Sequence, residues 1–540
     1  MRSSLSFGAC LVVLASACGC RHETRADKLG RQGILCVATE AEPSDLDPHI
    51  NIDASTDATI DALFEGLVGL AADGTTIIPG VAERWESSPD GLTYTFHLRA
   101  DARWSNGAPV TSEDFLFSFR RIFDPVLASE PASFGFVIAG AQAYTTGKTA
   151  DPGTVGLSAP DRRTFVIRLA HPAPYFLHIL GSPTPFRPVY RPLLEASGGV
   201  HQRGTTWTRA GHLVGNGPFV LTRWEPGQAL EVRKNPLYWD RGHVALEGVV
   251  FTPVDDAGAQ ERGFRSGEFH LTTKFPAEKA QGYDPGPRGR LVAIPIPRTT
   301  FVTFNVARVP FTDPRIRRAL SLAIDRRALA AAIFHGNAEP AFSQVRPGTG
   351  GYQPRPREAY AFNPDLARRL LAEAGYPGGA GLPPIDVILA GNEAEKIAVG
   401  EVIQASWKTV LGVTAKLWPT EFKVYLDAER TKQFQAIIES WSCPWPDPTA
   451  YYQIGETANP NNDSGWSNPT FDRDYRNADT LLEAADRSRS FDRQEACLAE
   501  DVPYAPLFYS AKLELVASAL HGVDPLGQAQ LAWKELRIAP

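Results

Sequence analysis

The residues best suited to holding a ligand form a short aromatic and proline-rich loop late in the chain. It directly follows the apolar run Ala436 to Ile438 and reads Trp441-Ser442-Cys443-Pro444-Trp445-Pro446-Asp447-Pro448. Ligands of open α/β sheets bind at the carboxyl ends of strands, and aromatic walls with a few polar groups are typical of concave sites. The spacing alone fits two interpretations equally: the tryptophans line a binding cleft, or they fill hydrophobic core.

Signatures of catalysis are absent from the sequence. It has no Gly-x-Ser-x-Gly turn, no His-Glu-x-x-His pair and no phosphate loop of the Walker type, and its eleven histidines are scattered. The carboxylate pairs Asp45/Asp47 and Glu113/Asp114 lie where turns and helix caps account for them. We therefore expect a protein that is not an enzyme and that uses neither a cofactor nor a metal ion.

Composition narrows the class of partner. The chain has 540 residues with 43% hydrophobic residues, which predicts a globular protein of several domains. Its formal charge of −7 gives no basic surface for a nucleic-acid backbone, so we expect no nucleic-acid partner.

The N-terminus indicates export. Residues 1–17 combine Arg2 with a short apolar stretch, as in a secretory signal peptide. Leu14-Ala15-Ser16-Ala17-Cys18 resembles a bacterial lipobox, which predicts acylation of Cys18 and an anchored periplasmic or cell-surface lipoprotein. Cys20 is a competing acylation site, and an ordinary cleaved signal peptide is the alternative. Residues 18–33 would then be a tether.

Three cysteines remain for the folded body: Cys36, Cys443 and Cys497. At most one intramolecular disulfide can form among them. The sequence leaves open a Cys443–Cys497 bridge or three separate buried thiols.

Strand and helix signals alternate along the body, which predicts the α/β class with mixed sheets. Strand-like runs include Ile34 to Ala38, Tyr94 to Leu98 and Ile385 to Ile388. Helix starts are predicted at Thr111, where Asp114 completes a capping box, and at two Asx-Pro pairs, Asp313-Pro314 and Asn363-Pro364.

One long segment carries a family resemblance. It runs from Ala82 to Arg99 and on from Trp104 to Phe115. It resembles the signature of family 5 extracellular solute-binding proteins, the oligopeptide- and dipeptide-binding components of ABC importers. Further segments agree in order, including Leu46-Asp47-Pro48-His49, Gly215-Asn216-Gly217-Pro218-Phe219 and Asp313 to Leu320. The resemblance covers the body after the tether and is strongest to the oligopeptide-binding branch.

The resemblance implies a two-lobed periplasmic-binding-protein-like fold with hinge-linked lobes and an inserted domain. Lobe I would contain residues 34–64, 206–300 and 513–540, with an inserted domain at 65–205. Lobe II would be residues 301–512. Family members commonly close on a peptide that binds as an extra extended strand.

The resemblance also implies the ligand-binding residues and one departure from the family. The implied set is Asn392, Phe422, Trp441, Cys443, Pro444, Trp445 and Asp447. Peptide-binding members carry an Asp for the peptide ammonium group where this chain has Pro444, which offers neither a charge nor an N–H. Asp447 and Glu439 are the nearby candidates for a substitute. Around Asn392 the only basic group is Lys396, so the family's carboxylate-binding groups are not evident.

These features together predict a monomeric, lipid-anchored receptor that captures oligopeptides or peptide-like solutes and delivers them to the permease subunits of an ABC importer. Two alternatives stay open. The same scaffold could sense a peptide signal or a cell-wall fragment, or a secreted hydrolase could have adopted it.

Overall fold

The structure is a computed structural model that describes residues 23–181, 185–334, 337–391, 394–443, 445–523 and 533–539. The predicted signal peptide, Cys18 and Cys20 lie outside the described residues. So do two of the predicted ligand-binding residues, Asn392 and Pro444.

Nineteen strands occur in the described ranges. In chain order they are β1 (Ile34–Thr39), β2 (Val68–Leu70), β3 (Ile77–Pro79), β4 (Ala82–Ser87), β5 (Thr93–Leu98), β6 (Leu157–Asp161), β7 (Thr164–Arg168), β8 (Phe219–Glu225), β9 (Ala229–Lys234), β10 (Gly248–Pro253), β11 (Leu271–Thr272), β12 (Gly289–Phe304), β13 (Glu339–Pro340), β14 (Ile385–Ala390), β15 (Ala415–Thr420), β16 (Ala436–Ser442), β17 (Tyr504–Ala517), β18 (Leu520–His521) and β19 (Arg537–Ile538).

Eleven of these strands form one mixed sheet. Its order is β15-β14-β16-β12-β17-β11-β1-β10-β9-β8, and β13 pairs with β17 beside this path. Strands β1 and β10 are parallel, whereas β12 is antiparallel to both β16 and β17. A separate antiparallel sheet has the order β4-β5-β7-β6. The predicted α/β class with mixed sheets is therefore confirmed.

Fifteen α-helices lie between the strands of the described part. They are α1 (Arg25–Gly30), α2 (Ala54–Leu63), α3 (Ser112–Ile122), α4 (Ala141–Thr145), α5 (Phe176–Gly181), α6 (Arg191–Ser197), α7 (Ala257–Ser266), α8 (Pro314–Leu322), α9 (Arg326–Phe334), α10 (Pro364–Glu373), α11 (Ala394–Leu411), α12 (Phe422–Arg430), α13 (Pro448–Tyr452), α14 (Pro469–Ala478) and α15 (Ala484–Asp501). None of these helices has the length and the apolar character needed to span a membrane.

Local capping signals in the sequence set the starts of several helices. Thr111 and Asp114 form a capping box at α3, because the Asp114 carboxylate accepts from the Thr111 backbone N–H at 2.7 Å. The Asp313 carboxylate accepts from Arg315 N–H at 2.9 Å, and Pro314 occupies the first helical position of α8. These predicted helix starts are confirmed.

Three bodies with separate hydrophobic cores make up the fold, and we name them by those cores. Lobe I is built around residues of three chain segments that include Leu35, Phe251 and Leu515. The inserted domain is built around Leu67 to Phe186. Lobe II is built around residues between Phe301 and Phe508.

Strands β12 and β17 connect lobe I with lobe II. One half of this strand pair runs from Gly289↔Ala517 to Pro295↔Ala511 and contributes to the lobe I core. The other half begins at Thr299↔Tyr509 and belongs to lobe II. The register shifts between Pro295 and Thr299. Pro295 and Pro297 of β12 have no N–H to donate to the strand ladder. The hydrogen bonding is therefore interrupted where the two strands pass between the lobes. The predicted two-lobed, hinge-linked architecture is confirmed.

Candidate functional site

One edge of strand β16 is open for most of its length. On one side β16 pairs with β12 at every residue from Ala436 to Ser442. On the other side its described pairing with β14 involves only Ala436 and Ile437. The remaining residues, Ile438–Ser442, thus have no strand partner on that side among the described pairings. An open strand edge can accept an extended ligand as an added strand.

Two hydrogen bonds define which residues of β16 face this open edge. The Ile438 carbonyl accepts from the Tyr425 hydroxyl of α12 at 3.1 Å, on the open side. Cys443 N–H donates to the Pro297 carbonyl at 2.8 Å, on the β12 side. Because backbone groups alternate along an antiparallel strand, the N–H and C=O of Ser440 and Ser442 point to the open edge.

Phe422 and Trp441 lie beside this open edge. Phe422 begins α12 and is 42% exposed, and its ring lies parallel to that of Tyr425 with centroids 6.2 Å apart. Trp441 belongs to β16 itself, opposite Thr299, and its indole N–H donates to the Ala450 carbonyl at 2.6 Å. The strand thus continues through Trp441, which the sequence prediction had placed in the loop.

Cys443 lies inside lobe II. Its side chain is buried, and burial raises the pKa of its thiol well above the ordinary value, with the Tyr451 hydroxyl as its neighbour. Cys36, Cys443 and Cys497 are all free thiols. Of the two arrangements left open by the sequence, the structure has three separate thiols. Cys36 and Cys443 are buried as predicted, whereas Cys497 is only half-buried.

Trp445 lies between lobe II and the inserted domain and packs against the cores of both. Its ring stacks on that of Tyr175, with centroids 5.6 Å apart and an interplanar angle of 11°. The ring of Phe134 meets it edge-on at 6.1 Å.

Asp447 holds the start of α13 and pairs with a buried arginine. The Arg487 guanidinium donates to both of its carboxylate oxygens, at 2.9 and 3.0 Å. The Thr449 N–H and hydroxyl donate to Oδ1 at 2.9 and 2.6 Å. Only 3% of Asp447 is exposed. Its carboxylate is therefore engaged within lobe II and is not presented to the open edge of β16.

Glu439, the other candidate for replacing the missing Asp, also points into lobe II. It is buried, accepts from the Thr303 hydroxyl, and lies with Glu429 and Asp463 in a group whose carboxylate oxygens are within 4.8 Å of one another. Burial raises the pKa of Glu439 well above its usual range, and burial and the Glu429 charge raise that of Asp463 to about 7. Crowded, buried carboxylates of this kind favour the protonated form.

A cavity of about 190 Å³ lies between the two lobes next to the crossing strands. It is lined from both sides by polar and apolar residues: Glu40, Thr273, Lys274, Phe275, Ala277, Phe334, Asn337, Glu395, Ala511, Lys512 and Leu513. The Glu40 carboxylate accepts from Lys512 Nζ at 2.9 Å and lies 3.8 Å from Lys274 Nζ. Burial raises the pKa of the neighbouring Glu514 to about 7. The cavity therefore offers charges of both signs beside apolar walls.

Sequence reasoning missed the charged residues of this cavity. Glu40, Lys274 and Lys512 follow or lie on β1, β11 and β17, which are far apart in the chain. They converge because these strands are neighbours in the large sheet. Strand order was not readable from the sequence, so no local signal identified them.

The chain matches one family model and resembles several known proteins in sequence and in structure. Residues 76–486 match the family model described as "Bacterial extracellular solute-binding proteins, family 5 Middle". The murein peptide-binding protein MppA of Escherichia coli is 32% identical, with 89% of this chain and 88% of that protein covered. The chain superposes on the unliganded open form of MppA with a TM-score of 0.82 at 30% identity, covering 94% of this chain and 97% of the other.

Two further relatives are similar over nearly the full length. The oligopeptide-binding protein OppA of Salmonella typhimurium is 31% identical, with coverage of 95% of this chain and 94% of that protein. The probable deoxycholate-binding protein YgiS of Escherichia coli is also 31% identical, with coverage of 92% and 91%. All three relatives are described as periplasmic.

Proposed function

Because the chain belongs to the family 5 bacterial extracellular solute-binding proteins, we propose that it captures a peptide or peptide-like solute between its lobes. It would deliver this solute to the permease subunits of an ABC importer. The protein would act in the periplasm or at the cell surface as a monomer. The domain boundaries 34–64, 65–205, 206–300, 301–512 and 513–540 belong to this proposal.

The observation that carries the proposal is the open edge of β16. Ser440 and Ser442 direct their backbone groups away from β12, and they lie where lobe II joins the crossing strands. An extended main chain docked there would gain backbone hydrogen bonds that are independent of its side chains. Phe422 and Trp441 beside the edge would supply aromatic surface for side chains of varied type.

The Asp447 carboxylate is already bound by Arg487, and this bears on which ligands the site can hold. Neither it nor the buried Glu439 faces the open edge, so a free α-ammonium group would find no counter-charge from these two residues. The interlobe cavity offers charges of both signs as further recognition groups. This arrangement favours ligands that depend on main-chain and apolar contacts, such as peptides with a modified amino end.

A ligand panel tests the proposal. Thermal shift and calorimetry would compare free peptides, N-acetylated peptides, cell-wall tripeptides and deoxycholate on the purified mature protein. We expect stabilisation by peptides, with acetylation costing little, and we expect Pro444→Asp to restore a preference for the free amine. Binding of deoxycholate without any peptide would contradict the peptide assignment, and release of products from a peptide would indicate a hydrolase.

A cell-wall-fragment receptor is the second candidate function. It is favoured by the similarity to MppA, which is described as a murein peptide-binding protein. A preference for the cell-wall tripeptide over unrelated tripeptides would support it. Uptake assays in host cells with and without the permease subunits of the ABC importer would then separate import from sensing.

We include the lipid anchor in the proposal. Cys18 would be the acylated residue, because small residues precede it as in a lipobox. Palmitate labelling of wild type, Cys18→Ala and Cys20→Ala in the native host tests it. Loss of label only in Cys18→Ala is expected, and loss only in Cys20→Ala would move the anchor.

A further inference from the structure

Lobe II and the inserted domain meet at an aromatic contact outside the crossing strands. The Trp445 ring from lobe II stacks on Tyr175 and touches Phe134, both of which belong to the inserted domain. Nearby, Leu482 of lobe II packs so closely on Gly91 that a Cβ there would lie 3.0 Å from its Cδ2. The two bodies are therefore in direct van der Waals contact at this boundary.

A half-buried carboxyl group lies in this contact. Asp479 directly follows α14 of lobe II, and the Tyr175 hydroxyl of the inserted domain faces it. Burial raises the pKa of Asp479 to about 6. Among the described residues, Asp479 Oδ1 and Trp445 Nε1 are buried without a hydrogen-bond partner. Opening of the contact would return both atoms to water.

The charged and titratable groups around Asp479 come from both bodies. His171 and Tyr175 face it from the inserted domain, and Asp447, Arg487 and Tyr475 face it from lobe II. Arg487 is held by Asp447 in a bidentate pair. No guanidinium or ammonium group is thus bonded to the Asp479 carboxyl among the described residues, and burial dominates its ionisation.

We propose that Trp445, Tyr175 and Asp479 form a proton-sensitive latch that holds lobe II against the inserted domain. Formation of the contact takes the Asp479 carboxyl partly out of water, and the neutral acid loses less solvation than the carboxylate. The latched state thus binds a proton more tightly than the open state, so acid favours latching and rising pH favours opening. In this role Trp445 stabilises the contact between lobe II and the inserted domain and need not contact the ligand. The consequence for ligand affinity rests on the proposed function.

The size of the effect follows from linkage. The pKa of Asp479 is about 6 in the latched state, against an ordinary value of 3.8 when the carboxyl is exposed. Between pH 7 and pH 5 the ratio of latched to open protein should therefore rise about tenfold. An exposed, freely hydrated carboxyl would give almost no change over the same range.

Distance measurements on the ligand-free protein test the latch. Spin labels would be placed at Lys148→Cys in the inserted domain and Lys408→Cys in lobe II, both exposed, in a background with Cys20→Ser and Cys497→Ser. Wild type should shift about tenfold toward the shorter distance from pH 7 to pH 5. Asp479→Asn should stay latched at both values, because its side chain cannot ionise.

Further variants separate the latch from general effects of pH or folding. Trp445→Ala should populate the longer distance at both pH values, with Trp445→Phe intermediate and thermal unfolding monitoring the fold. Asp463→Asn, which changes another carboxyl of raised pKa within lobe II, should keep the wild-type pH response. His171→Gln removes a charge that lowers the pKa of Asp479, so its response should move to higher pH.

Three results would overturn the latch: wild-type distances that do not change with pH, an Asp479→Asn response equal to wild type, or a folded Trp445→Ala variant with unchanged distances. Because no ligand is present, these outcomes are independent of whether the protein binds peptides.

Discussion

Replacing Ser442 by proline isolates the role of the open edge of β16. Proline keeps the extended backbone but removes one N–H that faces away from β12. A docked main chain would then leave one of its carbonyl groups buried and unpaired, which costs about 1 to 3 kcal/mol. The dissociation constant should therefore rise about 5- to 150-fold. Calorimetry with the best peptide of the panel measures this change.

Ser442→Ala is the matched control. It removes the hydrogen bond from Arg298 Nε to the Ser442 hydroxyl, 2.8 Å long, but keeps the backbone N–H. We expect its affinity to stay within about twofold of wild type, and both variants should unfold at nearly the wild-type temperature because Ser442 is exposed at the end of its strand. Equal losses in the two variants, or no loss in Ser442→Pro, would refute strand addition at this edge.

Three further predictions concern lobe II and the thiols. Arg487→Met leaves the Asp447 carboxylate buried without its bidentate partner, so the free energy of unfolding in urea should fall by about 3 to 5 kcal/mol. A matched Arg489→Met change on the exposed face of the same helix should have little effect. Glu495 is fully buried and its pKa is raised to about 7 from 4.5, so its contribution to stability is present below pH 4.5 and is lost as pH rises to 7. The loss amounts to about 3 kcal/mol, and Glu495→Gln should flatten this part of the pH–stability curve by that amount. In the mature protein with Cys20→Ser, Cys497 should react with a thiol reagent before the two buried cysteines, and all three thiols of the folded body should react after unfolding; a missing thiol would indicate a disulfide.

The sequence predicted features that depend on neighbouring residues. Asp313 and Pro314 marked a helix start because the cap and the first turn lie within three residues of each other. By contrast, the stacking of Trp445 on Tyr175 joins residues of two bodies, and nothing near either residue indicates its partner. The bond between Glu40 and Lys512 has the same character, because it depends on the order of strands in the sheet.

Asp447 illustrates a different limit of sequence reasoning. Its position after an aromatic loop suggested a group available to a ligand, and the same residue type caps helices. The structure gives it the capping role at α13 and a buried partner in Arg487. A carboxylate in a loop cannot be assigned to either role until its distant partners are known, since only these decide whether its oxygens are free.

The segmented core of lobe I has a consequence for the order in which the exported chain folds. The inserted domain and lobe II each draw their cores from one continuous stretch, whereas lobe I needs β17, close to the end of the chain. Contacts of such long sequence separation form slowly, because a large loop must close first. Lobe I should therefore complete its fold last, after lobe II has emerged. Chains truncated before β17 should expose the unpaired edge of β11, and we expect them to aggregate or to be degraded.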